Sequence, residues 1–389
     1  MSPKLQPVRG THDILPDEFE KFYSVVNIAR DLATLYGFQE MSTPVFEMTE
    51  VFSRSMGETL DVVSKEMFTF QTKGEESVTL RPEFTAGVVR SFISNGMQQH
   101  LPLKLFSTGP LFRYERPQKG RQRQFHQVNF EWFGDVSPQA DVEIIMLAGQ
   151  LLYYLSGKNC KLLINTLGDA ESRKNYREAL VQYLTPYTDQ LSEESQRRLL
   201  SNPLRILDSK NPVDQDIVKD APKITEYLTN EAKQRFNTVY SLLEHSGKMV
   251  FQDIERAPTL VRGLDYYSHT IFEFVDMSGG LGAQNTVLAG GRYDGLIEQM
   301  GGKPTPGIGF AAGVERLMLI AEKLGVFTSV KDVNLVIIPF EEIKEEVVLA
   351  GVTALRMTLA KIKEDNQLKQ KFSAEILWNG NVKKRLEKA

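Results

Sequence analysis

Cysteine is nearly absent from this sequence, since Cys160 is the single one among 389 residues. One thiol excludes an internal disulfide framework and any zinc site built from paired cysteines. The N-terminal sequence MSPKLQPVRGTHDILPDEFEK lacks the apolar core of a signal peptide. No run reaches the ~18 apolar residues that a membrane helix needs. These absences predict a reducing compartment, the cytoplasm, and no membrane partner.

Common motifs for nucleotides and metals are missing as well. The patterns GxxxxGK[ST], GxGxxG and HExxH do not occur, so P-loop, Rossmann and zincin sites lack their minimum residues. The five histidines are scattered, and we expect each to be structural or exposed rather than a metal ligand. With 46 basic and 50 acidic residues, no overall field attracts nucleic acid, so such a contact requires a local basic patch.

The patterns that are present predict an α+β fold. Apolar residues at helical spacing from Glu18 to Tyr36 predict an amphipathic helix that stops at Gly37. Short strand-like runs follow at Phe38–Val45, Met67–Phe70, Ser77–Leu80, Lys104–Tyr114 and Gln124–Phe133. We therefore predict a mostly antiparallel sheet flanked by helices. The sheet-forming domain is expected over residues 1–325.

Two further regions differ in character from this domain. Residues of about 172–250 carry polar and charged helical patterns, which predict a helical insertion. Residues 326–332 read as a linker, and the apolar run VNLVIIPF from Val333 predicts a buried parallel strand. A helix (Glu341–Ile362), a strand (Ala374–Trp378) and a basic helix (Lys383–Ala389) complete the pattern. Residues 333–389 thus predict a small, incomplete α/β domain.

The stretch Phe112–Gly134, FRYERPQKGRQRQFHQVNFEWFG, concentrates four arginines, one lysine and two glutamates. Charged residues that alternate with aromatic residues predict two antiparallel strands around a basic loop, Pro117–Arg123. Guanidinium groups there can bind phosphate oxygens while an aromatic ring stacks on a base. The competing interpretation is a solvated hairpin that carries surface ion pairs.

Two polar patterns suggest a ligand pocket. In LRPEFTAGVVR, Glu83 and Thr85 would share one face of an extended segment and suit an ammonium group, although Thr85 could instead cap a helix. In QFHQVNFE, Gln127 and Glu131 share a strand face with Asn129 and suit a polar nitrogenous ligand. An ordinary half-exposed strand is the alternative for the second pattern.

Arginines also stand beside glycines in the second half of the sequence. In LVRGLDYYSHTIFEF, Arg262 lies in an apolar context, and a buried arginine needs an anionic partner. That partner is either Asp265 or Glu273, or a substrate carboxylate or phosphate. AGGRYDGL holds Arg292 beside small residues, and GIGFAAGVER reads as a strand entering a helix; small residues allow a ligand to approach closely.

Together these segments resemble the class II aminoacyl-tRNA synthetases, and within them the histidyl-tRNA synthetase family. GFQEMSTP, ending at Pro44, looks like the first class motif, which is associated with a dimer interface. FRYERPQKGRQRQFHQVNFE and GIGFAAGVERL look like the second and third motifs. LVRGLDYY and AGGRYDGL look like the two signatures of the histidine enzymes. The five segments, in the family's order, cover Met1 to about Gly325.

The resemblance implies ATP-dependent ligation of L-histidine to tRNA(His) through a histidyl-adenylate, by a homodimer that uses Mg²⁺ and has no metal bound by protein side chains alone. It implies an amino-acid site formed by Glu83, Thr85, Gln127, Glu131, Arg262, Tyr266 and Tyr267. It implies an ATP site formed by Arg113, Glu115, Arg121, Phe125 and Arg316. It implies catalytic roles for Arg262, Arg113, Gln127 and Glu83. The implied contacts with the tRNA acceptor end are Arg116, Gln118 and Arg123.

The resemblance also has a departure and two alternatives. Position 84 is Phe84 where many members of the family carry glycine, and residues 333–389 would be a shortened anticodon-binding domain. One alternative is a non-catalytic paralogue, such as the regulatory subunit of ATP phosphoribosyltransferase. Another is a module that binds nucleic acid or senses histidine without the ligase reaction. The retained Arg262 and the charged residues of the second motif favour the enzyme over both.

Overall fold

The fold is that of a computed structural model, which describes residues 5–56, 62–117, 120–262, 266–281, 285–327, 333–340, 342–365, 372–378 and 382–388. The chain divides into two compact units, Met1–Val326 and Phe327–Ala389. In chain order the strands are β1 (Gln39–Glu40), β2 (Phe46–Met48), β3 (Phe68–Gln71), β4 (Ser77–Leu80), β5 (Leu103–Phe112), β6 (Gln124–Phe133), β7 (Cys160–Thr166), β8 (Asp253–Arg256), β9 (Ser268–Asp276), β10 (Thr286–Arg292), β11 (Gly307–Gly313), β12 (Val333–Ile337) and β13 (Phe372–Ile376). The α-helices are α1 (Pro16–Leu35), α2 (Thr49–Met56), α3 (Thr85–Ser94), α4 (Pro138–Ser156), α5 (Ala170–Leu184), α6 (Glu193–Ser201), α7 (Pro212–Val218), α8 (Asn230–Ser246), α9 (Leu296–Gln299), α10 (Val314–Lys323), α11 (Glu345–Asp365) and α12 (Val382–Lys388).

A large sheet organises the first unit, with the strand order β1-β5-β6-β11-β10-β9-β7-β8. Its pairs are antiparallel except for β1 with β5 and β7 with β8, which are parallel. The predicted mostly antiparallel sheet is therefore confirmed. Helices α1, α4 and α10 pack together against the central strands β6 and β11. Phe130 of β6 contacts Phe38, just after α1, so Asn129 and Glu131 project from the opposite face of the sheet.

Local sequence signals explain the ends of α1. Pro16 stands in the first turn, where its missing N–H costs nothing, and Asp17 and Glu18 are favourable beside the positive end of the helix dipole. Gly37 follows the C-terminus with φ of +76°, a conformation that glycine adopts without strain. The predicted helix is thus confirmed.

One predicted strand is wrong as a single element. The segment Phe38–Val45 contains only the short β1, and the chain leaves the sheet before Pro44, which has no N–H to donate to a ladder. The carbonyl of Thr43 accepts a hydrogen bond from the Arg81 guanidinium at 2.8 Å instead. The chain then enters β2, which pairs with β4 in a second, three-stranded sheet.

The predicted hairpin is present as β5 and β6, two ten-residue strands in antiparallel register from Leu103 opposite Phe133 to Phe112 opposite Gln124. The connecting segment runs over residues 113–123 and is longer than the predicted loop. Beyond Phe112 the Arg113 amide donates to the Arg123 carbonyl at 2.9 Å, which closes the base of the loop.

Residues 170–249 contain helices α5–α8 and short 3₁₀ turns, and no strand, in a stretch that the structure describes throughout. A small core of their own contains Leu184, Leu191, Leu199 and Ile206. The segment connects β7 to β8, which are parallel neighbours and therefore require a long crossover. Its assignment as a separate insertion stays a prediction.

The second unit has the order β12, α11, β13, α12, with β12 parallel to β13. Val348 and Val352 of α11 are buried with Ala374 of β13. Burial of β12 was predicted and is wrong, because Leu335 and Val336 are 36% and 39% exposed. Among the described residues of this unit α11 packs mainly against β13, so β12 is only partly covered. In both units, no described helix combines the length and apolar content that crossing a bilayer requires.

Candidate active site

A cleft of about 530 Å³ opens on the face of the large sheet opposite α1, α4 and α10. Strands β6, β10 and β11 form its floor, and the start of α3 and the segment around Tyr266 form its walls. The predicted residues that line it are Glu83, Thr85, Arg113, Glu115, Arg121, Phe125, Gln127, Glu131, Arg262, Tyr266, Tyr267 and Arg316. Every residue predicted for the amino-acid and ATP sites thus borders one cavity.

One end of the cleft is a buried hydrogen-bond network around Glu131. Its Oε1 accepts hydrogen bonds from the Thr85 hydroxyl at 2.5 Å and the Asn129 amide at 3.1 Å, and its Oε2 accepts one from the Tyr293 hydroxyl. Burial raises the pKa of Glu131 to about 7, and the hydrogen bonds oppose that rise. The β6 side chains predicted to share a face do so, and they form a polar pocket.

Glu83 lies just before α3 and takes the capping role that the alternative interpretation gave to Thr85. Its two carboxylate oxygens accept hydrogen bonds from the backbone N–H of Thr85 at 2.6 Å and of Ala86 at 2.7 Å. Glu83 therefore satisfies the free amides at the helix start, and Thr85 is the first helical residue rather than the cap. Burial raises the pKa of Glu83, opposed by these backbone bonds.

Tyrosine rings close the same end of the cleft. The ring centroids of Tyr266 and Tyr267 are 4.8 Å apart, and that of Tyr266 lies 5.6 Å from the ring of Tyr293. Burial raises the pKa of all three hydroxyls, so they are neutral and can donate hydrogen bonds at physiological pH. The result is an aromatic pocket with polar ends.

Arg262 pairs with Glu273, one of the partners that its sequence context allowed. Glu273 also accepts a hydrogen bond from the Thr286 hydroxyl at 2.9 Å. Burial lowers the pKa of Arg262, but the charge of Glu273 together with the Tyr267 and Tyr266 hydroxyls outweighs this effect, so the pKa is raised. Among the described residues, the Nε of Arg262 has no hydrogen-bond partner. The other candidate partner, Asp265, lies outside the described residues, as do its neighbours 263 and 264.

The other end of the cleft is basic and more exposed. Arg113 donates from Nε to the Pro82 carbonyl at 2.9 Å, and its guanidinium carbon is 5.3 Å from the centroid of the Phe125 ring. Arg121 donates to Glu115 at 3.1 Å. Burial and the nearby charge of Arg121 both lower the pKa of Arg316. Three guanidinium groups and an aromatic ring that line the same end of the cleft can bind the phosphates and base of a nucleotide.

The described residues predicted for tRNA contact, Arg116 and Arg123, do not line the cleft. Arg116 is exposed. Arg123 packs its guanidinium carbon 3.8 Å from the centroid of the Tyr114 ring and donates to the Glu115 carbonyl at 3.3 Å, which holds the base of the loop. Gln118 lies outside the described residues.

Arg292 was expected to stand beside glycines that admit a ligand, and this interpretation is wrong. Its side chain is fully buried and donates from Nε to Asp141 at 2.8 Å, away from the cleft. Gly290 and Gly291 are needed for strand packing, since a Cβ would lie 2.3 Å from the Gly309 carbonyl and 2.7 Å from the Thr270 carbonyl.

Several cleft residues were missed by sequence reasoning. Tyr293 lies within the motif AGGRYDGL, in which the sequence analysis singled out Arg292 instead. Residues 285–289 border the cleft with the β10 backbone and alternate side chains. Asp208 and Lys210 reach it from the helical region, where they form an exposed ion pair at 2.8 Å. No pattern distinguishes that pair from the many surface charges around it.

Comparison with known proteins agrees with this geometry. The family described as "Histidyl-tRNA synthetase" matches residues 10–317. The chain is 54% identical to a "Histidine--tRNA ligase" of Rickettsia akari over 83% of this chain and 77% of the relative. It is 49% identical to one of Novosphingobium aromaticivorans over 99% of this chain and 88% of the relative.

Solved structures agree as well. The apo histidyl-tRNA synthetase of S. aureus superposes with a TM-score of 0.75 and 33% identity over 99% of this chain and 88% of that chain. A Bacillus halodurans protein titled "ATP phosphoribosyltransferase regulatory subunit/histidyl-tRNA synthetase" has a TM-score of 0.64 at 18% identity, a likeness of fold alone.

The antiparallel sheet, with its pocket between β6, β10 and β11, is therefore the fold of a class II aminoacyl-tRNA synthetase. The family match spans well over half of the chain, and the relatives share about half of its residues. The chain belongs to the histidyl-tRNA synthetase family.

Proposed function

We propose that this chain is a histidine–tRNA ligase, which forms histidyl-adenylate from L-histidine and ATP and then transfers the histidyl group to tRNA(His). The observation that carries the proposal is that Arg113 and Arg262 border the same cleft as the Glu131 pocket. The names of relatives with 49% to 54% identity support the ligase over the regulatory alternative.

The buried end of the cleft suits histidine. We assign the ammonium and imidazole groups to Glu83, Thr85, Gln127 and Glu131, and the walls of the side-chain pocket to Tyr266 and Tyr267. A carboxylate and neutral hydroxyls match a ring that both donates and accepts hydrogen bonds. Because the residues that surround Glu131 already satisfy its oxygens, the pocket exists before the amino acid binds.

The basic end suits ATP. The carboxylate oxygen of histidine attacks the α-phosphorus, the bond to the β-phosphate oxygen breaks, and pyrophosphate leaves. Negative charge grows on the phosphoryl oxygens, and Arg113 and Arg262 stabilise it without solvent reorganisation. Arg121 and Arg316 bind the distal phosphates, and Phe125 stacks on adenine. The Nε of Arg262 has no hydrogen-bond partner in the described part of the chain, which supports this role because it leaves a donor for a substrate oxygen.

Magnesium fits the site as a companion of ATP. No cluster of three or more metal-binding side chains occurs in the described part of the chain, and Mg²⁺ commonly binds substrate phosphates with one or two carboxylates. Glu115, at the phosphate end, would hold it, whereas Glu315 is engaged by His126 at 2.9 Å. When bound, the ion would neutralise charge on the pyrophosphate.

In the second step the terminal ribose hydroxyl of tRNA attacks the carbonyl carbon of the adenylate, and AMP leaves. We assign the acceptor end to the loop with Arg116, Gln118 and Arg123, where backbone phosphates and unstacked bases are contacted together. Arg116 is exposed and does not line the cleft, which supports this assignment. Residues 1–325 would be the catalytic domain, about 172–250 its insertion, 326–332 the linker and 333–389 an anticodon-binding-like domain.

We also propose a homodimer in the cytoplasm. The exposed apolar side chains of Phe46 and Met48, 55% and 47% accessible, directly follow the motif that ends at Pro44 and support a partner surface there. Sedimentation analysis tests the dimer, and a concentration-independent monomer would exclude it.

Histidine-dependent exchange between ATP and labelled pyrophosphate tests the ligase without tRNA. Arg262→His should lower the exchange rate by about 10²–10³, since it removes a charge partner of the transition state. Glu273→Gln breaks the same ion pair but keeps the guanidinium, so it should retain most of the exchange. Absence of exchange in the folded wild-type protein would contradict the proposal. Unfolding of Arg262→His but not of wild type would show that the ion pair serves stability instead.

A further inference from the structure

The segment Arg81–Thr85 links the small sheet, the large sheet and the amino-acid pocket. The Arg81 amide donates to the Val45 carbonyl at 2.9 Å, and its carbonyl accepts from the Phe112 amide at 3.0 Å. Arg81 thus continues the small sheet beyond β4 and joins it to the end of β5. Two residues later in the sequence, Glu83 enters the pocket.

The Arg81 side chain is held on several sides. It is 3% exposed, and its Nε donates to the Pro110 carbonyl at 3.0 Å while its Nη1 donates to the Thr43 carbonyl at 2.8 Å. Burial lowers the pKa of this guanidinium, opposed by the charge of Glu47. Bonds to carbonyl groups of two distant segments fix the plane of the guanidinium.

Phe84 stacks on that guanidinium. The central carbon of Arg81 lies 4.4 Å from the centroid of the Phe84 ring, and the ring is 1% exposed. Gly109, with φ of +150°, makes room for the pair, because a Cβ there would lie 2.7 Å from Arg81 Nη2. The ring lies between Glu83 and Thr85 in the sequence and borders the cleft with them.

We propose that Arg81 and Phe84 form a positioning pair for the amino-acid pocket. The guanidinium, fixed by carbonyls from both sheets, supports the Phe84 ring, and the ring holds the backbone on which Glu83 and Thr85 are carried. The pair acts on histidine affinity more than on ATP affinity. This inference rests on the proposed roles of Glu83 and Thr85 in binding histidine.

The experiment measures the Kd for histidine by calorimetry in the absence of ATP, so that it does not depend on catalysis. Phe84→Leu keeps apolar volume but removes the stacking face, and it should raise this Kd about tenfold, as expected for a desolvated cation–π contact. The KM for ATP in pyrophosphate exchange should rise by less than the histidine Kd, because the basic end of the cleft meets this segment through the bond of Arg113 to the Pro82 carbonyl.

Phe92→Leu is the matched control. Phe92 lies on α3, the helix that Phe84 directly precedes; it is fully buried and packs against Phe133 with ring centroids 5.0 Å apart, outside the cleft. It should lower the Tm as Phe84→Leu does and leave the histidine Kd unchanged. An equal rise in Kd for both variants, or no rise for Phe84→Leu, would overturn the proposal.

Arg81→Lys gives an independent route, because it keeps the charge but loses the planar fork. It should raise the histidine Kd as well, and the double variant with Phe84→Leu should raise it by less than the product of the single effects. If the double variant raised the histidine Kd by the full product of the single effects, the two residues would act separately. A histidine Kd of Arg81→Lys equal to that of wild type would overturn the proposed pair, even if Phe84→Leu failed to fold. Failure of the proposed ligase function can be told apart from failure of the positioning pair, because it would appear as absence of ATP–pyrophosphate exchange in the wild-type protein.

Discussion

The two ends of the cleft solve different physical problems. At the amino-acid end, Glu83 and Glu131 are buried and their oxygens accept hydrogen bonds from nearby protein groups. At the phosphate end, the Arg113 and Arg121 side chains are 24% and 45% exposed. A buried carboxylate needs hydrogen-bond donors from the protein. Partly exposed guanidinium groups, in contrast, can stay hydrated until a polyanionic ligand binds them. One end is preformed, and the other is completed by its ligand.

Changing the charge at the phosphate end is the strongest test of the difference between the two ends of the cleft. Arg113→Gln should lower the exchange rate by about 10²–10³ because it removes a fixed charge beside the reacting phosphorus. The histidine Kd should remain within about twofold of wild type, since the amino-acid end is closed by its own network. Arg113→Lys is the matched control, because it keeps the positive charge but removes the planar, forked guanidinium group. If the histidine Kd rose by the same factor by which the exchange rate fell, the two ends of the cleft would not act independently.

A second test uses the raised pKa of Glu131, which is about 7 compared with 4.5 for an exposed glutamate. Between these values the folded state binds a proton that the unfolded state has lost, so stability falls as pH rises. The difference in unfolding free energy between wild type and Glu131→Gln should change by up to about 1.4 kcal/mol per pH unit in this window. Urea unfolding at a series of pH values measures it. A difference that does not vary with pH would contradict a buried, protonated carboxyl group.

The smallest expected effect comes from the exposed charge of Arg121. Its pair with Glu115 is solvated, so Arg121→Gln should change the free energy of unfolding by about 1 kcal/mol or less. The KM for ATP should still rise severalfold because a phosphate contact is lost. Arg54→Gln is the matched control, since Arg54 is also exposed and paired, with Glu50 on α2 outside the cleft. Equal effects of both variants on the KM for ATP would remove the proposed role of Arg121.

Much of the hairpin that carries the site could be predicted from the sequence. The alternation of Gln127, Asn129 and Glu131 with apolar residues follows from the two-residue period of a strand, which any buried sheet imposes. The pairing β5–β6 joins neighbours along the chain, so local pattern is sufficient. The exposed β12 shows the limit of the same reasoning, because an apolar run does not reveal how many layers will cover it.

By itself, the sequence determined the strand faces of β6, the extent of α1 and the residue types that border the cleft, because these depend on neighbours within a few positions. Only the tertiary structure decided which groups pair. Thr85 meets Glu131 across 46 residues and Tyr293 meets Glu131 across 162, and Glu83 rather than Thr85 receives the amides at the start of α3. Hydrogen bonds require contact within about 3 Å, and such proximity between distant segments is set by the packing of sheets and helices, which no local pattern encodes.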